Sequence, residues 1–509
     1  MKNKTNSLGI AALFILTLLT GCSKFDDINV NPNTTTQVSA SLICTNVVLQ
    51  IAKFGGSDSK SFISENALPK YVGYANEGQL DAQYNNLGNG SFGLMTILPN
   101  IDKMLEYAAG STMENSYKGL ASFARAFTFY KLSMEMGDIP YSDADKAAAG
   151  SYRPQYDKQE DVFKAVLDEL NAADGYFANG QTFTGDPTPY NGDPAKWRRA
   201  TNAFALKVLM SLSNKVDDNA LDIKNRFVAI VNKGYLLESG TGYWGLQYSV
   251  QNKHPLSSTN DMFTSRTLLS SLTIDNLKKF NDRRMYYISE PSLKQTGAGK
   301  TANDPSAYVG LDVSVAYDTM NAGHSRNEYS VINKRYLEEV ATEPRRLLTY
   351  AEQQLILAEA RVRGWITTST AQSYYEQGVS DALAAFMSVT SSYAHGMTID
   401  QSYVNGYFTG EAAFKTSMQE QLQQIWMQRY LLNFMQDAET SYFEYRRNNY
   451  PLFPVNPESS LNVNNKSGIP MRWLYPASET NYNREHLVEA LNRQYEGYDE
   501  INKLMWLLK

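Results

Sequence analysis

Two cysteines, four histidines and 53 carboxylates are the side chains of this 509-residue chain best placed to act as nucleophiles, metal ligands or proton carriers. The histidines are His254, His324, His395 and His486. No two of them stand at metal-ligand spacing, and no His-Glu-x-x-His run occurs. There is no Gly-x-Ser-x-Gly elbow, no phosphate-cradling loop followed by Lys-Ser or Lys-Thr, and no dinucleotide fingerprint. A glycosidase needs two carboxyls about 5 to 9.5 Å apart in space. The scattered Asp and Glu residues point to no such pair. Glu352 and Glu359 lie in an Ala-rich helix and read as helix-paired groups. The expectation is therefore no catalytic residue, no metal and no cofactor. Cys22 carries a different chemistry. It closes Leu19-Thr20-Gly21-Cys22, after a charged start (Lys2, Lys4) and an apolar run from Leu8 to Leu19 that is too short to span a membrane. Small residues running into a cysteine after such a run form a bacterial lipobox. The thiol is acylated and becomes the new N-terminus. Two or more acyl chains make such an anchor stable, since each buried methylene adds about 0.8 kcal/mol.

The remaining candidate chemistry is aromatic. The chain holds 34 Tyr, and a phenol wants water or a partner for its hydroxyl. Tyr71, Tyr74, Tyr84 and Phe92 cluster around Asn85, Asn86 and Asn89. Tyr243, Trp244 and Tyr248 form a second group, and Tyr308 stands near Asp304 in a third. Aromatic faces stack on sugar rings or peptide side chains, while Asn and Asp bond hydroxyls. The expectation is an exposed ligand platform built from Tyr74, Tyr84 and Asn85, joined by Trp244 and Tyr308. The competing reading is that each aromatic pins its own loop to the helices.

These residues must be held by helices. Apolar periodicity predicts them over Tyr117–Met136, Glu160–Ala173, Trp197–Leu212, Leu347–Val362 and Met418–Phe434. Small residues (Ala121, Ala124 and Ala126; Ala351, Ala358 and Ala360) allow close helix pairing, which suits tetratricopeptide-like stacking. Long irregular stretches at 180–193, 239–265 and 291–333 separate them, and their Tyr, Trp and Asn content argues against disorder. The fold class expected is mainly α, a tetratricopeptide-like scaffold with long irregular loops. Residues 1–21 read as the lipoprotein signal peptide, 22–36 as lipidated N-terminus and tether, and 37–509 as one domain. Cys44 is left alone in an apolar run and reads as a small buried hydrophobe. A formal net charge of −6 implies no basic face, which argues against a nucleic-acid partner.

The order of several short motifs resembles a known family. The lipobox and Asp27-Ile28-Asn29-Val30-Asn31-Pro32-Asn33 look like the mature start of SusD/RagB-type nutrient-binding lipoproteins. Phe123-Ala124-Arg125-Ala126-Phe127 leads into Gly137-Asp138-Ile139-Pro140-Tyr141, then Tyr152-Arg153-Pro154-Gln155-Tyr156-Asp157 and Gly192-Asp193-Pro194-Ala195-Lys196-Trp197. Tyr350-Ala351-Glu352 with Leu357-Ala358-Glu359-Ala360 follows. A Gln-rich helix before Tyr445-Arg446-Arg447, then Ile469-Pro470-Met471-Arg472 and Tyr475-Pro476, complete the series. The likeness is strongest to the branch called SusD-like family 2. One departure is Asn448-Asn449-Tyr450-Pro451, where relatives often carry Thr-Gly-x-Pro. The resemblance implies a helical, tetratricopeptide-containing fold without catalysis. It implies a lid over a SusC-like TonB-dependent β-barrel that imports glycans, or peptides in some relatives. An acidic pair near Cys22, Asp26-Asp27, resembles the signals that send some lipoproteins to the outer face of the outer membrane. A surface glycoside hydrolase and a helical-repeat scaffold for a protein partner are the alternatives.

Overall fold

A computed structural model describes residues 39–509, apart from 57, 147–149, 241 and 258–261. Helices dominate, and eight of them build the scaffold. They are α1 (Glu114–Met136), α2 (Gln159–Ala178), α3 (Pro194–Ser211), α4 (Ile223–Lys233), α5 (Tyr350–Val362), α6 (Ala371–Ala384), α7 (Met418–Leu432) and α8 (Ala438–Asn448). Packing runs α1 on α2, α2 on α3 and α3 on α4; then α5 on α6 and on α7. Helices α3 and α5 also touch, which joins the two sets. Among the described residues no helix is long and apolar enough to cross a membrane.

Local sequence explains where these helices start and how closely they pair. Asp193 caps α3 by accepting from the Ala195 N–H at 2.9 Å. Thr349 and Ser417 cap α5 and α7, each with Glu three residues on, the spacing of a capping box. A Cβ on Gly119 would meet the Phe177 ring at 2.9 Å, and one on Gly378 would meet the Ala351 carbonyl at 2.9 Å. Missing side chains thus let α1 approach α2 and α6 approach α5. Trp197 fills the joint, fully buried, edge-on to Phe123 and donating its indole N–H to Asp186 at 2.8 Å.

Two small antiparallel sheets complete the frame. Strand β1 (Val72–Tyr74) pairs with β3 (Thr267–Leu269), and β2 (Tyr243–Leu246) with β4 (Arg345–Thr349). The helix expected from Leu347 begins instead at Tyr350, because Arg345 to Thr349 pairs with β2. Segment 291–333 holds a nine-residue helix, Tyr317–Ser325, and shorter turns rather than being wholly irregular. Cys44 is buried and unpaired as expected.

The C-terminal segment folds back over α1 and α2. Asp138, just after α1, caps the first residue of α2 by accepting from the Gln159 N–H at 2.8 Å, and it pairs with Arg493 at 2.6 Å. Tyr495 donates to the Met136 carbonyl at 2.7 Å, and the Leu507 N–H bonds the Gln159 amide oxygen at 2.9 Å.

Candidate functional site

The structure brings the first and third aromatic segments together and places the second elsewhere. Pairing of β1 with β3 docks residues 72–92 against the 263–333 stretch. Tyr84 donates to the Val315 carbonyl at 3.1 Å and Gln83 to that of Val313 at 3.2 Å. Ala75, Leu268, Leu311, Val313 and Met320 form a small core of their own beneath.

The exposed platform expected of Tyr74, Tyr84, Asn85, Trp244 and Tyr308 is not there, since all five are buried. Tyr74 stacks on Phe263 at 6.2 Å. Asn85 accepts from Lys70 at 2.7 Å, a lysine that burial pulls down to about 7. Tyr308 donates to the Ala302 carbonyl at 2.7 Å, edge-on to Tyr286. Trp244 lies among Phe123, Phe127 and Trp197, inside the helical joint. The physical reason is shared. Loops with few regular backbone bonds are held by burying large side chains, and an aromatic buries more area than any other. Cys22 lies outside the described residues.

The carboxylates of the Ala-Glu helix form a buried ionic spine. Glu352 faces Lys207 of α3 at 3.2 Å. Glu359 accepts from Arg447 of α8 at 2.6 and 2.8 Å and from Arg363 at 2.9 Å. Arg429 of α7 pairs with Glu444 at 2.6 Å. Arg447 beside it, then Arg363 and Arg429, hold the Glu359 carboxyl down at about 2 despite burial. Acids committed to arginines in this way are structural ties between helices. No group of three or more potential metal ligands occurs among the described residues.

Two adjoining recesses remain open on the second set of helices. One is a surface groove of about 940 Å³ between α6, Tyr350 at the start of α5, and residues 401–408. Its walls carry Tyr350 and Phe408, both half-buried, with Gln377, Gln401 and Asn405 and the hydroxyls of Thr370, Ser373 and Ser380. Among its described lining residues there is no lysine or arginine. The amides are pre-positioned. Tyr350 donates to Gln377 at 2.7 Å, Gln377 donates to Ser373 at 2.8 Å, and Gln401 donates to Asn405 at 2.9 Å. The second recess is a more enclosed cavity of about 330 Å³ that shares Asp381 and Ala384 with the groove. It runs between β2, β4, α6 and the end of α7, past Tyr243, Arg346 and Phe386. Burial raises the Asp381 carboxyl above its usual range.

Half-buried aromatics flanked by amides and hydroxyls can bond a neutral polyhydroxylated molecule on its edges and cover its apolar faces. Little in the amino-acid order marks this groove. Its residues are spread from 239 to 408, and Tyr350 stands out only as part of the Tyr-Ala-Glu motif.

A SusD-like family model, described as starch-binding and associating with the outer membrane, matches residues 32–476. No curated protein matches the sequence. A SusD homologue from Bacteroides fragilis is similar in structure, with a TM-score of 0.88 and 38% identity over 93% of this chain and 100% of its own. An outer membrane protein from Bacteroides vulgatus, described as a candidate for nutrient binding, gives a TM-score of 0.84 and 33% identity over 93% and 100%. A chitin-binding protein shares the fold at 20% identity, with a TM-score of 0.71 over 92% and 99%.

Proposed function

Because the chain belongs to the SusD-like family of outer-membrane-associated binding proteins, we propose that it is a surface lipoprotein, anchored through Cys22, that binds an oligosaccharide and hands it to a SusC-like TonB-dependent β-barrel. The observation that carries the glycan reading is the 940 Å³ groove, with its Tyr350 and Phe408 rings, its amides and hydroxyls, two carboxylates (Glu376 and Asp381) that can accept from sugar hydroxyls, and no lysine or arginine among its described lining residues. A neutral sugar chain matches that chemistry, because planar amides exchange hydrogen bonds with hydroxyls while the rings cover C–H faces. The role is binding without turnover. The two acids of the Ala-Glu helix, Glu352 and Glu359, face Lys207 and Arg447 in ion pairs, which fits a structural use of these carboxylates.

Calorimetric titration of the detergent-solubilised protein against neutral glycan and peptide panels tests this. Binding to a neutral oligosaccharide, weakened several-fold by Tyr350→Ala without loss of thermal stability, is the expected result. Stacking is worth on the order of 1 kcal/mol per ring. Binding to peptides alone would overturn the glycan reading. Product release that survives repurification would overturn the non-enzymatic one.

A further inference from the structure

Strand β4 presents two adjacent arginines, and the second of them stands on the wall of the 330 Å³ cavity with no direct hydrogen bond or ion pair, in the field of Glu343 and Asp381 on the same wall. Arg346 bonds only through its backbone, its N–H to the Gln436 amide oxygen at 2.9 Å, and its guanidinium lies 5.5 Å from the Tyr243 ring centre. Among the described residues it makes no side-chain hydrogen bond or ion pair. The other charged groups on the cavity wall are already engaged. Glu343 takes Arg335 at 2.6 Å, Tyr336 at 2.9 Å and Gln436 at 2.8 Å. Glu352 takes Lys207, Arg284 takes Asp282 at 2.7 Å, and Asp381 accepts from Ser239 at 3.4 Å. The Tyr243 hydroxyl is buried with no well-formed hydrogen bond, the Gln247 side chain alone acting on it from nearby. The least committed donors on the wall are one guanidinium and one phenol, and among its acceptors Glu352 Oε1 has no hydrogen bond although Lys207 lies 3.2 Å away. The rest of the wall, with Leu347, Phe386 and Leu431, is apolar.

We infer that this cavity seats a carboxylate-bearing sugar, a uronic acid unit, at one end of a chain whose neutral units lie in the adjoining groove. An unpaired guanidinium beside an unpaired hydroxyl calls for an anion with several acceptor oxygens, and a planar carboxylate suits arginine better than a point charge does. The sugar ring's C–H faces fit the apolar wall, where a bare inorganic anion would leave that surface uncovered. At 330 Å³ the space is at the small end of ligand pockets, enough for a terminal unit and too little for a chain. Asp381 and Ala384 line both recesses, so the two are immediate neighbours. The inference rests on the nutrient-binding reading above.

The test is titration of the full-length protein in detergent with matched probes. These are xylotetraose against a glucuronic-acid-bearing xylotriose, galactotetraose against its acid-terminated counterpart, and free glucose and galactose against glucuronate and galacturonate at millimolar concentration. Wild type should prefer the acidic member of at least one pair by on the order of tenfold, the scale of one charge-assisted hydrogen-bond pair. Arg346→Gln should abolish that preference, while Arg346→Lys should restore part of it. Equal affinity for both members of every pair, or an undiminished preference in Arg346→Gln, overturns the inference and leaves the nutrient reading standing. If no sugar probe binds the wild type, both readings fall together.

Discussion

Arg447 and Glu359 show how much of this molecule is decided by single buried charges. Their two hydrogen bonds, at 2.6 and 2.8 Å, tie α8 to α5 in a site almost closed to solvent. Removing one partner strands the other without water, which costs about 3 to 5 kcal/mol. Arg447→Met should therefore lower the urea midpoint strongly with little change in slope. Glu359 also has a pH signature. Its folded carboxyl titrates near 2, below the unfolded value of about 4.3, so its stabilisation is complete above that value and is lost as pH falls through the interval. His254 acts in the same direction at milder pH. It is fully enclosed by Phe62, Tyr248 and Tyr336, accepts from the Leu256 N–H, and burial holds its imidazole down to about 4. Between about pH 6.5 and 4 the unfolded chain takes up a proton that the folded one refuses, so stability falls as pH falls. Glu65 and Glu135, raised by burial to about 7 and 8, work in the opposite sense, losing stability as pH rises. The measurement is therefore a difference. The stability of wild type minus that of His254→Asn should change by on the order of 3 kcal/mol across that window. An unchanged difference would place solvent at the ring. None of these partners was legible beforehand, because a charge pair 88 residues apart leaves no spacing to read.

At the scale of elements the sequence was informative where periodicity and punctuation agreed. Helices α1, α2, α3 and α7 fall within a few residues of the apolar pattern, since each buries one stripe against a neighbour. The pattern overran at Leu347 because a strand flanked by a helix shares its apolar residues, and two leucines fit either period. Asn449 departs from the family's glycine and still works. It sits at the left-handed cap of α8 with φ 52°, a conformation that Asn tolerates better than other side chains. Gly192, in the turn before α3, has φ 74° and backs directly onto the Phe183 carbonyl. Gly192→Ala should therefore destabilise by more than Asp193→Ala, which removes only a cap and should cost about 1 kcal/mol. Thermal melts of the two variants would settle the order, and a Gly192→Ala variant as stable as wild type would refute the geometry. The aromatic loops misled for a related reason. Tyr beside Asn and Gly reads alike whether the ring faces a ligand or its own loop, and only the packing of 72–92 on 263–333 decides.

For the whole molecule, family and fold were legible because many weak motifs recur in order, and several of them have a structural role among the described residues. Asp138 joins α1, α2 and the C-terminal segment; Asp193 caps α3; Glu359 and Arg447 join two helices. The two recesses were not legible, since apart from Tyr350-Ala351-Glu352 their walls belong to no motif. Cys22 makes a prediction at this scale. Cys22→Ala should shift the protein from the membrane fraction to the soluble one or leave it unprocessed, and fractionation with N-terminal sequencing would show it. Unaltered partitioning with a normal mature N-terminus would end the lipid-anchor proposal. Mild detergent extraction should carry a large β-barrel along with the wild type, and its absence under several extraction conditions would count against the transporter partner.

The return of the C-terminal segment onto α1 and α2 has a kinetic meaning. Gln159 is made 348 residues before Leu507, and Asp138 is made 355 residues before Arg493, the residues that complete their bonds. A chain made N-terminus first can form the α1–α2 hairpin early but cannot complete these bonds until residues near 493 and 507 arrive. With these bonds to Gln159 and Asp138 unmade, a chain cut before Arg493 should therefore be more open to proteolysis than the full chain, which limited digestion of the two would show.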